Sequence, residues 1–479
     1  MRRRLGSVAA GLLPALAFAA LLLPSGAAAA RPLDIGFADT LYEDPATSKR
    51  WLDETKTVNA DFIRINMYWS QVAYNKPANP RDPGDPDYNW ALYDDAIVNA
   101  TERGFQIDLT VFAAPSWAEG PNRPSVKKAP YGSWRPDASA YADFARALAR
   151  RYDGTYVPAG ASEPLPRLRY FEAWNEPNLG TYITPQFTGG TNQSAAIYVK
   201  LLNRFYDEVK AVIPDAQIVT GGTAPYGDPP SSKAQKTGPL RFARELLCLS
   251  EKLNRANCAG GEKAKFDIYA HHPINRAEDP LEHGPLADDV MINDFKDLTK
   301  TVRKAEKLNT IGTGGRHGLW ANEVWWQTNP PDKGEGVPLQ TQARWMQQAL
   351  YLLWKQGASN VSFLQFRDAK YKPGEYTLDT YQTGVYTFND KPKPSARAIA
   401  FPFVTDRRSA STLFAWGKAP ATGKLTITAK QKGKGGYRKV RTLAVTEGEV
   451  FTSRLRMRGE AKLKAQVGGR KSLVWSQTD

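Results

Sequence analysis

The sequence predicts a (β/α)8 barrel followed by a small antiparallel β domain of the sandwich type. Three observations predict it. Eight short apolar, β-rich runs recur, at 33–38, 62–69, 105–112, 168–174, 217–221, 266–271, 319–324 and 361–366. Segments of helical period lie between them, among them 92–103, 141–152, 195–212, 241–253, 292–308 and 340–355. After residue 404 the pattern changes to short alternating runs with Gly-rich turns, at 412–416, 424–429, 438–445, 450–455, 461–467 and 471–475. Strand-then-helix units repeated eight times are what a closed parallel barrel requires. An open doubly wound sheet is the alternative. It needs a Gly-rich phosphate turn after the first strand, and Gly36, Phe37, Ala38 and Asp39 do not supply one.

The chain divides into three parts. Residues 1–30 read as a secretory leader: Arg2, Arg3 and Arg4, then an apolar run from Val8 to Leu23, then small residues up to a cut near Ala30. An uncleaved membrane anchor is the other reading, and Pro14 and Pro24 interrupt the run. Residues 31–404 form the barrel. Helix-start signals sit at Asp137 and Ser194, and the Lys391–Pro394 stretch opens the last helix. Residues 405–479 form the β domain. The protein is therefore expected to be secreted, extracellular or wall-associated, and monomeric.

Composition removes several functions. With 42% hydrophobic and 24% charged residues, the chain can build a core and is not a disordered polymer. Two Cys and four His leave little for a metal cluster, so neither a metal nor another cofactor is expected. After export, Cys248 and Cys258 are expected to form a disulfide, two buried thiols being the alternative. The formal charge is +15, unevenly spread. Residues 405–479 hold 17 Lys and Arg against 5 Asp and Glu, the leader adds three Arg, and residues 31–404 are neutral. The basic tail could attract an anionic cell-envelope polymer, or it could simply solvate the outer face of a sheet. No recognition helix or stacking motif points to nucleic acid.

A barrel presents its chemistry at the C-terminal ends of its strands. Strand four ends in Phe171–Asn178 and strand seven in Leu319–Trp326, so Glu176 and Glu323 should face each other across the barrel mouth. Such a carboxyl pair is what glycoside hydrolysis needs: one group protonates the leaving oxygen, the other attacks the anomeric carbon or activates water. Glu172, on the same strand as Glu176, is read as structural. Asp267 is expected to cap or pair locally, and Asp368 could support a sugar hydroxyl. Trp69, Trp117, Trp134, Trp325 and Trp326 fall near strand ends, and at least two are expected to stack on sugar. Trp69, Trp117 and Trp326 are the named candidates. His271 and His272 should point to opposite faces, without a third metal ligand at sensible spacing.

Trp174, Asn175, Glu176, Pro177 and Asn178 resemble the strand-four signature of glycoside hydrolase clan A, the retaining (β/α)8 hydrolases. The nearest resemblance is to family thirty-nine and related cellulase-like chains, over about residues 33–404. It implies that Glu176 is the general acid/base, Glu323 the nucleophile, and Asn175 a ligand of the sugar 2-hydroxyl. It also implies a role for Arg64 near the nucleophile and for His272 as a sugar-facing residue. The chain departs from the clan's pattern at Asn322 before the nucleophile, at Ile274, and at strand eight, which ends without Trp. These roles imply a Glu176 carboxyl raised by burial and by Glu323, a Glu323 held ionised by Arg64, and a bell-shaped rate profile on the acid side of neutral. The substrate is expected to be a poly- or oligosaccharide. A carbohydrate-binding protein whose catalysis has lapsed is the alternative.

Overall fold

Eight parallel strands close on themselves with every neighbour hydrogen-bonded: β1 (Asp34–Ala38), β2 (Phe62–Tyr68), β3 (Gln106–Phe112), β4 (Tyr170–Ala173), β5 (Gln217–Thr220), β6 (Ile268–His271), β7 (Gly318–Val324) and β8 (Asn360–Leu364). The computed structural model describes residues 30–229, 231 and 234–478. Residues 1–29, which carry the expected leader, lie outside the described residues. Among the described residues, no helix is long and apolar enough to cross a membrane.

Helices α1 (Ser48–Thr57), α2 (Trp69–Val72), α3 (Ala91–Glu102), α4 (Ala138–Arg151), α5 (Ser194–Val212), α6 (Pro239–Leu246), α7 (Phe295–Leu308) and α8 (Leu339–Gln356) lie in the seven crossovers, α2 being a single turn, and α9 (Pro394–Ala400) follows β8. Asp137 caps α4 as its position suggests, accepting from the Ser139 and Ala140 backbone N–H groups. At α5 the cap is Asn192 rather than Ser194: its Oδ1 accepts from the Ser194 backbone and hydroxyl. Helix α6 stops at Leu246, short of the apolar pattern, because Cys248 takes a left-handed conformation (φ 55°) that no helix continues. The chain then loops back, and Cys248 and Cys258 form the expected disulfide.

The strand register layers the barrel interior. At the N-terminal end, Phe62, Tyr170 and Trp320 pack ring against ring at 5.1–5.3 Å and plug the barrel. One layer higher, Arg64 lies beside Asp108 and Thr110 beside Glu172. The C-terminal ends then open into the cavity described below.

At Phe403 the chain turns antiparallel. Strands β9 (Phe403–Ser409), β10 (Thr412–Lys418) and β13 (Val450–Arg456) form one sheet. Strands β11 (Gly423–Gln431), β12 (Arg438–Val445), β14 (Ala461–Val467), β15 (Arg470–Lys471) and β16 (Trp475–Gln477) form the other. This domain is fastened to the barrel. Trp416 packs on Tyr351 and Trp354 of α8, and Lys418 pairs with Asp61 ahead of β2. Lys418 is thus a buried partner of the barrel, not a free cation of the basic tail.

Candidate active site

Glu176 lies just past β4, where the backbone leaves the strand by an uncommon route. Trp174 and Glu176 both have left-handed φ, 77° and 39°, each costing about 1–3 kcal/mol. Two anchors hold that shape. The Trp174 ring is fully buried, meets Tyr141 of α4 edge-on, and donates its indole N–H to the Tyr182 carbonyl. The Glu176 backbone N–H donates to the Gly222 carbonyl at 3.0 Å. The strand alternation that would place Glu172, Trp174 and Glu176 on one face is therefore broken: Trp174 packs against a helix while Asn175 and Glu176 line the cavity.

Glu323 reaches the cavity by a different device. Two steps of β8, Val361 to Phe363, face three of β7, Ala321 to Val324. The extra residue is a bulge, and bulges re-aim side chains. It lets Asn322 bond Glu172 inside the barrel while its immediate neighbour Glu323 also faces the cavity.

The two carboxylates meet at His272. Its Nδ1 lies 2.9 Å from Glu176 Oε1 and 3.5 Å from Glu323 Oε2. Ligand atoms of Glu176, His272 and Glu323 all fall within 4.8 Å of one another. As a donor set, one nitrogen and two carboxylate oxygens could hold a cation; the same set places two acids on either side of one small reacting group. His272 is fully buried and sits behind the carboxylates, so it corrects the expectation of a sugar-facing residue. His271 points the other way, bonding Thr223 and the Val290 carbonyl, and burial lowers its pKa to about 3.

Arg64 also lies behind the site. It is buried and gives its bonds to Glu172 (Nε to Oε2, 2.9 Å) and to Asn175 (Nη2 to Oδ1, 2.9 Å). Glu323 is left at 3.5 Å from Nη1. Arg64 is therefore not placed as a substrate ligand; its charge favours the ionised Glu323 as expected, but burial outweighs it. Burial raises the Glu323 pKa, and the Glu176 charge adds to that against His272 and Arg64. Glu172 takes most of the arginine's charge. Burial opposes its ionisation, yet the Arg64 charge and hydrogen bonds keep its pKa below the ordinary range. It also accepts from Thr110, the Gly222 N–H and Asn322, confirming its structural reading. Asp108 beneath it is pushed well up by burial and by the Glu172 charge.

The cavity holds about 720 Å³. Its aromatic wall is not the expected one. Trp69 is fully buried against Trp117, Tyr141 and Phe144. Trp117 gives its indole N–H to the Ala73 carbonyl, and Trp326 is buried and bonded to the Glu278 carbonyl. None of these three candidates lines the cavity, and of the five tryptophans only Trp325 does. Its ring lies 5.2 Å from that of Tyr381, from the β8–α9 loop. Together they supply the apolar surface that strand eight, lacking a terminal Trp, does not. Tyr182 and Tyr226 join from other loops; only their place after a strand end could have marked them in the sequence. Asp368 is buried in a pair with Lys393 at 2.7 Å and does not reach the cavity. Asp267 is paired, but not locally as expected: it accepts from the Ile218 N–H of β5 and meets Lys210 of α5.

This geometry sits on a fold with solved counterparts. A family 39 glycoside hydrolase from the gut symbiont Bacteroides cellulosilyticus is similar over 89% of this chain and 81% of its own, at 18% identity and a TM-score of 0.55. A monomeric beta-xylosidase from Caulobacter crescentus is similar over 89% of this chain and 97% of its own, at 14% identity and a TM-score of 0.51.

The fold is that of the family 39 glycoside hydrolases.

No protein-family model and no curated protein matches the chain. On this glycoside hydrolase fold, Glu176 and Glu323 occupy the ends of strands four and seven, at the mouth where barrel enzymes work.

Proposed function

We propose that the protein is an exported glycoside hydrolase that cleaves O-glycosidic bonds of a poly- or oligosaccharide with retention of configuration. The observation that carries this reading is the separation of the two acids, whose oxygens lie within 4.8 Å of each other. Retaining enzymes place their carboxyl groups about 5–5.5 Å apart, inverting enzymes about 6.5–9.5 Å, because only the latter must fit a water between the basic carboxylate and the sugar.

In the proposed mechanism a sugar ring lies on Trp325 and Tyr381, with its anomeric carbon between the two acids. Glu176 donates its proton to the glycosidic oxygen as Glu323 attacks the anomeric carbon, so the leaving group departs as an alcohol. A glycosyl ester on Glu323 results. Glu176, now ionised, takes a proton from water, whose oxygen attacks the same carbon and releases Glu323. Asn175 has turned its carbonyl oxygen to Arg64, which leaves its N–H groups free for a sugar hydroxyl. Export is supported by the composition of residues 1–30 and by the disulfide, a bond that persists in oxidising compartments.

A panel of aryl glycosides tests the reading, beginning with xylosides because one similar structure is a beta-xylosidase. Wild type should hydrolyse at least one of them, and Glu176→Gln and Glu323→Gln should not match it. A 2-fluoro sugar of the active type should add its mass to the peptide holding Glu323. Equal inertness of all three proteins on every glycoside would favour a binding protein on the same fold.

A further inference from the structure

We infer that the outer face of the five-stranded sheet is a docking surface for a linear acidic polysaccharide. One face of this sheet is core: Leu425, Ile427, Leu463, Ala465 and Val467 are buried. The opposite face of β11, β14 and their neighbours carries Lys424, Lys430, Lys439, Lys462, Lys464 and Lys471, all exposed except Lys464, which is half-buried. Register sets Lys430 directly opposite Lys462, and Lys439 and Lys464 on either side of Thr428. Lys471 stands opposite Gln466. Among the described residues none of the six forms an ion pair; Lys464 instead covers the Tyr437 ring at 4.3 Å.

Like charges placed directly opposite on adjacent strands destabilise a sheet, and a merely solvated face interleaves both signs. Here the other side chains in the paired rows are Thr426, Thr428, Thr442, Ala444, Gln466 and Ser476, none of them acidic. Ammonium groups stand about 5 Å apart across strands and about 7 Å apart along them. A uronate chain offers one carboxylate per ring at a comparable repeat, and hydroxyls to meet the threonines. Two other polyanions fit less well. Single-stranded nucleic acid needs aromatic faces for its bases, and the one nearby ring, Tyr437, is covered by Lys464. An anionic bilayer is gripped by large apolar side chains beside the charges, and the paired rows offer only the methyl group of Ala444.

The face is not part of the cleft. The domain meets the barrel at α8 and at Asn59 and Asp61, ahead of β2, on the end away from the catalytic mouth. A polymer held there tethers the enzyme and does not shape its site. The choice of a polysaccharide rests on the glycosidase reading, but binding can be measured without hydrolysis.

The test uses the full-length protein and immobilised polygalacturonate eluted with salt, with dextran as the neutral control. Wild type should be retained on polygalacturonate and not on dextran. The variant Lys430→Ser/Lys462→Ser/Lys464→Ser should bind at least ~tenfold more weakly, with a smaller salt dependence. Removing three charges from the other sheet and the turn that follows it, Arg454→Ser/Arg456→Ser/Arg458→Ser, should leave retention within about twofold of wild type, since net charge alone is then excluded. Should the triple lysine variant not fold, Lys462→Glu at its exposed position gives the same readout. Equal loss in the two triple variants overturns the proposal. So does wild-type binding to single-stranded DNA or phosphatidylserine vesicles as tight as to polygalacturonate in the same buffer. Turnover of a small aryl glycoside should be unchanged in the lysine variant; if no glycoside is turned over, the binding result still stands by itself.

Discussion

Arg64 donates two hydrogen bonds to Glu172, from Nε at 2.9 Å and from Nη2 at 3.3 Å, and neither side chain reaches solvent. This pair sits directly beneath the proposed catalytic acids and decides how much of the arginine's charge they feel. Removing one partner of a buried pair leaves the other uncompensated and costs about 3–5 kcal/mol. Glu172→Gln should therefore lower stability by an amount in that range, read from the midpoint of urea unfolding. An unchanged midpoint would mean that the pair carries no such energy.

Glu323 should titrate above the ordinary glutamate range, because it is buried. Glu323 must be ionised to attack, while burial and the Glu176 charge both disfavour its ionisation. The rising limb of kcat/KM against pH should thus lie above the ordinary glutamate value. Glu176→Gln keeps a neutral group where the working acid is neutral and should leave that limb in place, measured on a substrate whose leaving group needs no acid. The same variant should lose about 10²–10⁴ in rate on substrates that do need one. A limb that moves to lower pH would mean that Glu176 is ionised where Glu323 works, against its role as the proton donor.

Two tryptophans separate stacking from packing. Trp325→Ala removes a cavity wall and should raise KM on glycosides while leaving the melting temperature close to wild type. Trp69→Ala opens a hole among Trp117, Tyr141 and Phe144, at a cost of about 3–5 kcal/mol. Its KM, measured well below the melting temperature, should hardly change. The reverse pattern would restore Trp69 as a ligand.

Gly222 offers a sharper probe of the site. A Cβ there would stand 2.2 Å from His272 Nε2 and 2.8 Å from Asn322 Oδ1. Gly222→Ala must push His272, and with it the two carboxylates. Activity should fall by more than the loss of folded protein explains, as judged by rates corrected for the folded fraction from circular dichroism.

Stability should decline as pH rises from the acid range through neutrality. Burial pushes Glu43 up to about 8, and Asp34 and Asp368 up to about 6. A raised carboxyl pKa means that the folded chain binds the proton more tightly than the unfolded chain. The contribution is complete below the ordinary carboxylate range and is lost as pH rises through the folded value. Denaturant midpoints should fall between about pH 4 and pH 8, and Glu43→Gln should flatten the upper part of that fall. A curve of unchanged slope in the variant would place the effect elsewhere.

The parts of the site legible in the sequence are those fixed by position along a strand. Glu176 and Glu323 could be found because barrel chemistry gathers where strands end, and the strands themselves show as apolar runs. Glu172 could be set aside because a mid-strand acid points into the barrel. Orientation beyond the strand end could not be found the same way. Left-handed residues at 174 and 176 turned Trp174 outward, and the β7 bulge turned Glu323 inward, so counting by twos failed at both. Tryptophan near a strand end was an equally weak guide, since Trp69 and Trp326 occupy such positions and are core.

What the chain alone determined was its order of strands and helices, the change to antiparallel sheet near residue 404, the disulfide and the two acids. Hydrophobic periodicity and residue chemistry are local properties, carried by a few neighbours in the chain. What only the tertiary structure decided was which ring faces the cavity, that Arg64 belongs to Glu172 more than to Glu323, and that six lysines share one unpaired face. Each of those depends on distances between residues tens to hundreds of positions apart, which strand register, bulges and backbone turns set and no local pattern records.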